Sequence, residues 1–263
     1  MTKRIFILLF IALNILNAQC KDPLRIHSHN DYKNESPLYN ALRYCAKSIE
    51  VDIHLVNGKI LVGHDLGETK ETETLESLYL QPLMKIFEVG QSEFNVDYEI
   101  YLLIDIKSDA DSTFTVLNKL LQNYEKLLTY YQDGVVHKRK IKVILSGNRP
   151  IDIVSGMEMR IVFIDGRLTD INKNYSHGLF PLISDSQTKV AEYLGYSDFE
   201  FIDHEEFTDL VAEIHKENKC FRIWGVPDNE EYWKLQLDYG VDLVNTDKSN
   251  KLSEFIRKCS KKK

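Results

Sequence analysis

Short-range metal spacing is missing from this chain. Its four cysteines, Cys20, Cys45, Cys220 and Cys259, stand apart, and none has zinc-ligand spacing. Glycine is sparse, 12 in 263 residues. No glycine-rich loop follows the first predicted strand, which argues against a nucleotide-binding open sheet. Positive charge is in deficit, with 33 Lys+Arg against 40 Asp+Glu and a formal charge of −7. Without an internal basic stripe, nucleic acid is not an expected partner. The apolar run Ile5–Leu16 falls short of the roughly 20 residues a bilayer span needs. No linker and no internal repeat interrupts the rest.

That run does have the flanks of an export signal. Lys3-Arg4 precedes it and Leu16-Asn17-Ala18 closes it as a signal-peptidase site would be built. Residues 1–18 are therefore read as a signal peptide and the protein as exported, periplasmic or extracellular. Losing Lys3 and Arg4 takes the formal charge from −7 to −9. Cys20 lies just past the cut, so a membrane tether through Cys20 is the alternative exported form.

Residues 22–260 read as one domain, close to the about 250 residues of an eight-fold α/β barrel. Strands are expected at Leu24–Asn30, Ser48–Val56, Lys59–Val62, Ile100–Lys107, Lys142–Leu145, Arg160–Ile164, Phe180–Ile183, Phe221–Val226 and Val241–Val244. Helices are expected at Pro37–Ala46, from an Asp111-Ser112 cap along a stripe reaching Tyr131, and at Phe207–Glu217, Glu230–Tyr239 and Leu252–Lys258, with a break or kink near Pro82 in Leu75–Val89. This alternation predicts a parallel sheet. Polar clusters follow the strands, where a closed (β/α)8 barrel of the TIM type places its active site.

The stretch Ser48–Asp65 organises those clusters. Ile49, Val51 and Ile53 share one face of a strand, while Glu50, Asp52 and His54 share the other. Asn57-Gly58 makes a tight turn into Lys59–Val62, and His64-Asp65 closes the unit. Two further pieces lie at predicted strand ends: His29-Asn30 and Asp105-x-Lys107. Glu50, Asp52, Asp105 and the Asn30 amide form an all-oxygen set suited to one hard divalent cation, Mg2+ or Ca2+. Two flanking histidines suit acid–base work, and Lys107 suits a phosphoryl group. Taken singly, each piece has a blander explanation: a solvated strand face for Glu50 and Asp52, a turn for His64-Asp65, an ion pair for Asp105 and Lys107. Arg149 and Arg167 suit phosphate or a structural salt bridge, and Trp224 suits a substrate pocket or the core. His54 and His137 are given no chemical role.

The order His29-Asn30, Glu50-x-Asp52, His64 resembles the phosphatidylinositol phospholipase C-like phosphodiesterase superfamily, which includes the glycerophosphodiester phosphodiesterases. Ser28-His29-Asn30-Asp31-Tyr32 is close to the Ser-His-Asn-Thr-Tyr signature of the eukaryotic phospholipases. His27 to Tyr32, Ser146 to Pro150, Asp165 to Arg167, Trp224 to Asp228 and Val241 to Asp247 are most similar to the altered-inheritance-of-mitochondria protein family and its exported bacterial relatives. The resemblance implies a barrel phosphodiesterase with one divalent cation, acting on a glycerophosphodiester, phospholipid or phosphoinositide-type substrate. It implies His29 and His64 as the catalytic pair. Glu50, Asp52, Asp105 and Asn30 become metal ligands, and Lys107 binds phosphate. Arg149, Trp224 and His27 complete the candidate substrate contacts. The chain departs from the glycerophosphodiesterases in lacking their His-Arg-Gly on the first strand, so His27 and His29 both stand as candidates for the catalytic histidine there. The expected partner is a small-molecule or lipid phosphodiester, with peripheral membrane contact and a monomeric state.

Two other readings are kept. His27-x-His29 would serve an amidohydrolase-type metal hydrolase, although Asp165 and Asp185 stand where that chemistry wants histidines. A silent ligand-binding barrel is the third. Export also predicts oxidised cysteines. Barrel order places Cys20 and Cys259 on the lower face near the closing seam, so a Cys20–Cys259 bridge is expected, with Cys45 and Cys220 reduced.

Overall fold

The computed structural model describes residues 19–88 and 94–260. Eight parallel strands close a barrel: β1 (Leu24–Ser28), β2 (Ala46–Val56), β3 (Ile100–Ile106), β4 (Ile141–Gly147), β5 (Val162–Gly166), β6 (Leu182–Ser186), β7 (Cys220–Trp224) and β8 (Leu243–Thr246). Closure is made by β8 on β1 and β1 on β2, with Asn245 opposite His27 and His27 opposite Ser48. The strand Lys59–Val62 adds antiparallel to the end of β2. Its turn takes the expected form, with positive φ at Asn57 and Gly58.

Eight helices are described: α1 (Tyr39–Arg43), α2 (Gln81–Phe87), α3 (Ala110–Gln122), α4 (Ile151–Ser155), α5 (Gln187–Leu194), α6 (His204–Lys216), α7 (Glu230–Asp238) and α8 (Ser249–Ser260). Alternation divides the hydrophobic residues into an outer and an inner layer. Ile49, Val51 and Ile53 of β2 and Leu102, Ile104 and Ile106 of β3 pack outward in the main core. Leu103, Ile144, Phe163, Leu182 and Leu243 fill the barrel interior instead. Polar residues take over the interior above them, at the carboxyl ends of the strands.

The periodicity misplaces several boundaries. The stripe from Leu117 to Tyr131 is not one helix: α3 ends at Gln122, and Tyr130–Gln132 pairs with Val135–His137 as a hairpin. Asp133-Gly134 turns that hairpin, both with positive φ. Tyr131 and Val136 pack against the interior core, so the hairpin closes the barrel floor. Asp109, rather than Asp111, caps α3 by accepting the Ser112 N–H at 3.0 Å. Near Pro82 the chain does not break. A π-helical turn, Glu76–Leu80, runs straight into α2, and this wider turn immediately precedes Pro82, which has no N–H to give the helix. Helices α4 and α5 have no counterpart among the expected helices.

The cysteine pairing is a correction. Cys20 bridges Cys45, with Cα atoms 5.4 Å apart, while Cys220 and the exposed Cys259 are free. Gln19–Cys20 pairs with Asn95–Val96, which carries Cys20 beneath the barrel beside the turn from α1 into β2. Its sulfur is therefore occupied, and no thiol remains there for a tether. The expected signal peptide, residues 1–18, lies outside the described residues. Among the described residues no helix is long and apolar enough to cross a membrane.

Candidate active site

The site grows from two adjacent strands. Asp52 of β2 and Asp105 of β3 are direct partners in the parallel register, so both carboxylates enter the mouth at one level. Glu50 is one inward residue deeper on β2. One oxygen from each acid lies within 4.8 Å of the others. Lys107 Nζ stands 3.0 Å from Asp105 Oδ2 and 3.5 Å from Asp52 Oδ1. On the neighbouring strand, Gly147 has φ +66, and a Cβ there would lie 2.0 Å from Asp105 Oδ1. Only glycine leaves room for that carboxylate.

The charges are unequally served. Glu50 Oε2 accepts from His27 Nε2 at 2.5 Å and from Arg222 Nη2 at 2.7 Å. Burial would raise Glu50, but the Arg222 charge and the His27 hydrogen bond hold it well below the usual carboxylate range. Asp52 is pushed up to about 6 by burial and the Glu50 charge, with Asp105 adding to both and Lys107 opposing. Asp52 Oδ1 and Asp105 Oδ1 are buried without a hydrogen-bond partner. A buried carboxylate oxygen left so is costly. Two such oxygens, three acids and one nearby lysine make a donor set that fits a hard divalent cation, so the residues present fit the expected metal.

Asn30 is drawn to this set through Tyr32. The Tyr32 hydroxyl donates to Asp52 Oδ2 at 2.8 Å and also lies 3.2 Å from Asn30 Oδ1. His29, on the same loop, has Nδ1 2.8 Å from Asp247 Oδ1. Burial would lower His29, but the Asp247 hydrogen bond and the negative charges of Glu50 and Asp247 outweigh it and raise it. Asp247 is itself oriented, since its N–H donates to Asp228 Oδ2 at 3.1 Å. His64 stands on the loop after Lys59–Val62, its side chain half exposed, with Nδ1 3.5 Å from Asp65. Its carbonyl accepts from His54 Nε2 at 3.1 Å. His54 thus supports the loop that carries His64.

Two expected substrate contacts, His27 and Arg149, are placed differently. His27 is fully buried beneath the mouth, where Nε2 donates to Glu50 and Nδ1 accepts from Ser48 at 2.8 Å. Burial and the Arg222 charge lower it to about 4, so it stays neutral near pH 7 and offers substrate no surface. Arg149 is committed to the Asp165 carbonyl at 2.7 Å and Asp170 Oδ2 at 3.1 Å. Trp224, at the end of β7, is exposed. His27 and His29 also turn to different carboxylates, Glu50 and Asp247, which removes the shared His-x-His metal site of the amidohydrolase reading.

Sequence reading missed Arg222 and gave no role to Asp247 or Asp165. Arg167, read as a phosphate or salt-bridge residue, joins a polar group that begins beside Asp105, whose register partner is Ser146. There Asp165 accepts from Arg167 at 2.8 Å, Ser146 at 2.8 Å and Ser184 at 2.6 Å. A signal for Arg222 was present: an arginine in mid-strand between Phe221 and Ile223 shares parity with Trp224 and must enter the barrel.

The AIM6-like phosphodiesterase domain model matches residues 18–165. The chain belongs to that family. A glycerophosphoryl diester phosphodiesterase family model matches residues 221–248. Altered inheritance of mitochondria protein 6 of Eremothecium gossypii is 30% identical over 277 residues, covering 88% of this chain and 69% of that protein. A homolog of that protein in Arthroderma benhamiae is 30% identical over 267 residues, covering 87% and 82%. Among solved structures, a glycerophosphodiester phosphodiesterase from Parabacteroides distasonis superposes with a TM-score of 0.57 at 15% identity, covering 89% of this chain and 97% of that one. That likeness carries the fold. The match to residues 18–165 spans β1 to β4 and nearly all of β5, and so includes all four candidate metal ligands and both candidate catalytic histidines.

Proposed function

We propose that this protein is a divalent-cation-dependent phosphoric diester hydrolase acting on a glycerophosphodiester, phospholipid or phosphoinositide-type substrate. The observation that carries the reading is the convergence of Glu50, Asp52 and Asp105 at the barrel mouth with two buried carboxylate oxygens that accept no hydrogen bond. Those acids and Asn30 would hold the cation, Mg2+ or Ca2+. When bound, such an ion polarises the phosphoryl oxygens and offsets their negative charge.

The chain's own residues supply the rest. His29, with Nδ1 on Asp247, presents Nε2 as the base that takes a proton from the attacking hydroxyl or water. His64 protonates the leaving alcohol oxygen from the facing loop. Lys107 places a positive charge beside the acids, where a non-bridging phosphate oxygen gains most from it. Arg222 and His27 keep Glu50 ionised and fixed at the base of the site. Arg167, held by Asp165 and by Ser146, the register partner of Asp105, adds a cation on that side of the mouth.

Export belongs to the same proposal and rests on the sequence of residues 1–18; peripheral membrane contact rests on a lipid-type substrate. Turnover of bis-p-nitrophenyl phosphate and a panel of glycerophosphodiesters, with products identified, tests it. Hydrolysis that stops in EDTA and returns with Mg2+ or Ca2+ supports the reading. Full activity in excess EDTA sinks the metal assignment, and no turnover across the panel sinks the hydrolase.

A further inference from the structure

A second built cavity lies on the outer wall, away from the strand ends. It has a volume of 350 Å³ and is formed by the connection before α6, the start of α6 and one side of α7. Its walls are aromatic. Phe207 meets Phe199 edge-on, with centroids 5.9 Å apart at 85°, and meets Tyr239 at 5.3 Å and 87°. His204 leans on Tyr239 at 5.1 Å, and Tyr232 completes the lining. Phe199 and Phe207 are buried behind the wall, so the aromatic surface open to a cation comes from Tyr232, Tyr239 and His204.

The charge around these rings has one sign. Glu200 and Glu231 are the charged lining residues, and neither lysine nor arginine lines the cavity. Tyr232 donates its hydroxyl to Glu200 Oε1 at 2.6 Å. That hydrogen bond, with some burial, pushes the phenol up to about 12, so it stays neutral beside the carboxylate. The starts of α6 and α7 do not reverse this field as free donors. Asp203 accepts from the amides of Glu205 and Glu206, and Asn229 from those of Glu231 and Tyr232. An anion would meet carboxylates here, and a neutral apolar molecule would leave them unused.

The geometry points to a binding site for a small soluble organic ammonium ion, with methylated nitrogen against the rings and Glu200 and Glu231 as counter-charges. The site goes beyond the phosphodiesterase reading and does not depend on it.

Isothermal titration of the purified protein with tetramethylammonium, beside tert-butanol as a neutral probe of similar size, tests it. Tetramethylammonium should bind saturably and at least about tenfold more tightly than tert-butanol, reflecting the cation–π and carboxylate contributions. Glu231→Gln, an exposed position, should weaken binding by about threefold or more. Tyr239→Leu should weaken it further, with circular dichroism confirming the fold. Equal binding of the two probes, no saturation, or an unaltered Glu231→Gln affinity overturns the proposal. Adsorption to phosphatidylcholine vesicles without saturable binding of free tetramethylammonium overturns it as well.

Discussion

Tyr32 and Asp52 share one hydrogen bond, at 2.8 Å to Oδ2, and it leaves the other Asp52 oxygen buried with no hydrogen bond. Lys107 reaches that second oxygen only to 3.5 Å. The carboxylate is thus anchored on one side and available on the other, as a metal ligand should be.

Asp52→Asn removes a buried charge repelled by Glu50 and Asp105. The metal-free variant should therefore be at least as stable as the parent at pH 7.5. Addition of Mg2+ or Ca2+ should raise the parent's Tm and leave the variant's unchanged. A variant that still gains the full cation-induced shift would remove Asp52 from the ligand set.

The pH dependence follows from the raised Asp52. Below about pH 4 the group is protonated in folded and unfolded chains alike. Between there and its folded value of about 6 the unfolded chain gives up the proton first, so metal-free stability declines as pH rises. Above about 6 the cost is complete. The cation-induced rise in Tm should accordingly be small at pH 5 and full at pH 7.5. A shift equal at both values contradicts the assignment.

His29→Ala and His64→Ala should each lower kcat by about 10²–10⁴-fold, and the double variant should lose far less than the product. Asp247→Asn tests positioning separately. Because Asp247 raises His29, its loss should move the rising limb of the pH–rate profile to lower pH. A uniform drop in kcat with no movement of that limb would make Asp247 merely structural.

Arg222→Ala strips Glu50 of its cationic partner and should cost about 3–5 kcal/mol in urea unfolding, the usual penalty for stranding a buried charge. Adding Glu50→Gln to it should restore part of the loss. Glu50 is depressed in the folded chain, so its contribution is present above about pH 4.3 and fades as pH falls further.

Peptide mapping without reduction should recover Cys20 joined to Cys45, with Cys220 and Cys259 alkylated. The bridge closes a 25-residue separation, and its removal by Cys45→Ala should cost about 3–4 kcal/mol on the chain-entropy account. Recovery of Cys20 joined to Cys259, or of a lipid on Cys20, would contradict the fold at its lower face.

The sequence by itself determined the barrel and the main acids of the site. Period-two alternation in β2 had to put Glu50 and Asp52 on the face opposite Ile49, Val51 and Ile53. The same parity sent Asp105 inward with Leu103. Residue type and spacing also carried the family likeness, because chemistry at strand ends is local to each strand. Tertiary structure decided what long-range pairing decides. Arg222 reaches Glu50 across 172 positions, and Asp247 reaches His29 across 218. Cys45 won Cys20 from Cys259 through the pairing of Gln19–Cys20 with Asn95–Val96. The apolar stripe past Gln122 kept helical spacing, yet Asp133-Gly134 turned it into a hairpin because the barrel floor needed a cover. Periodicity reports which face of an element is buried, but the partner waiting there is set by closure of the barrel, which brings together strands far apart in the chain.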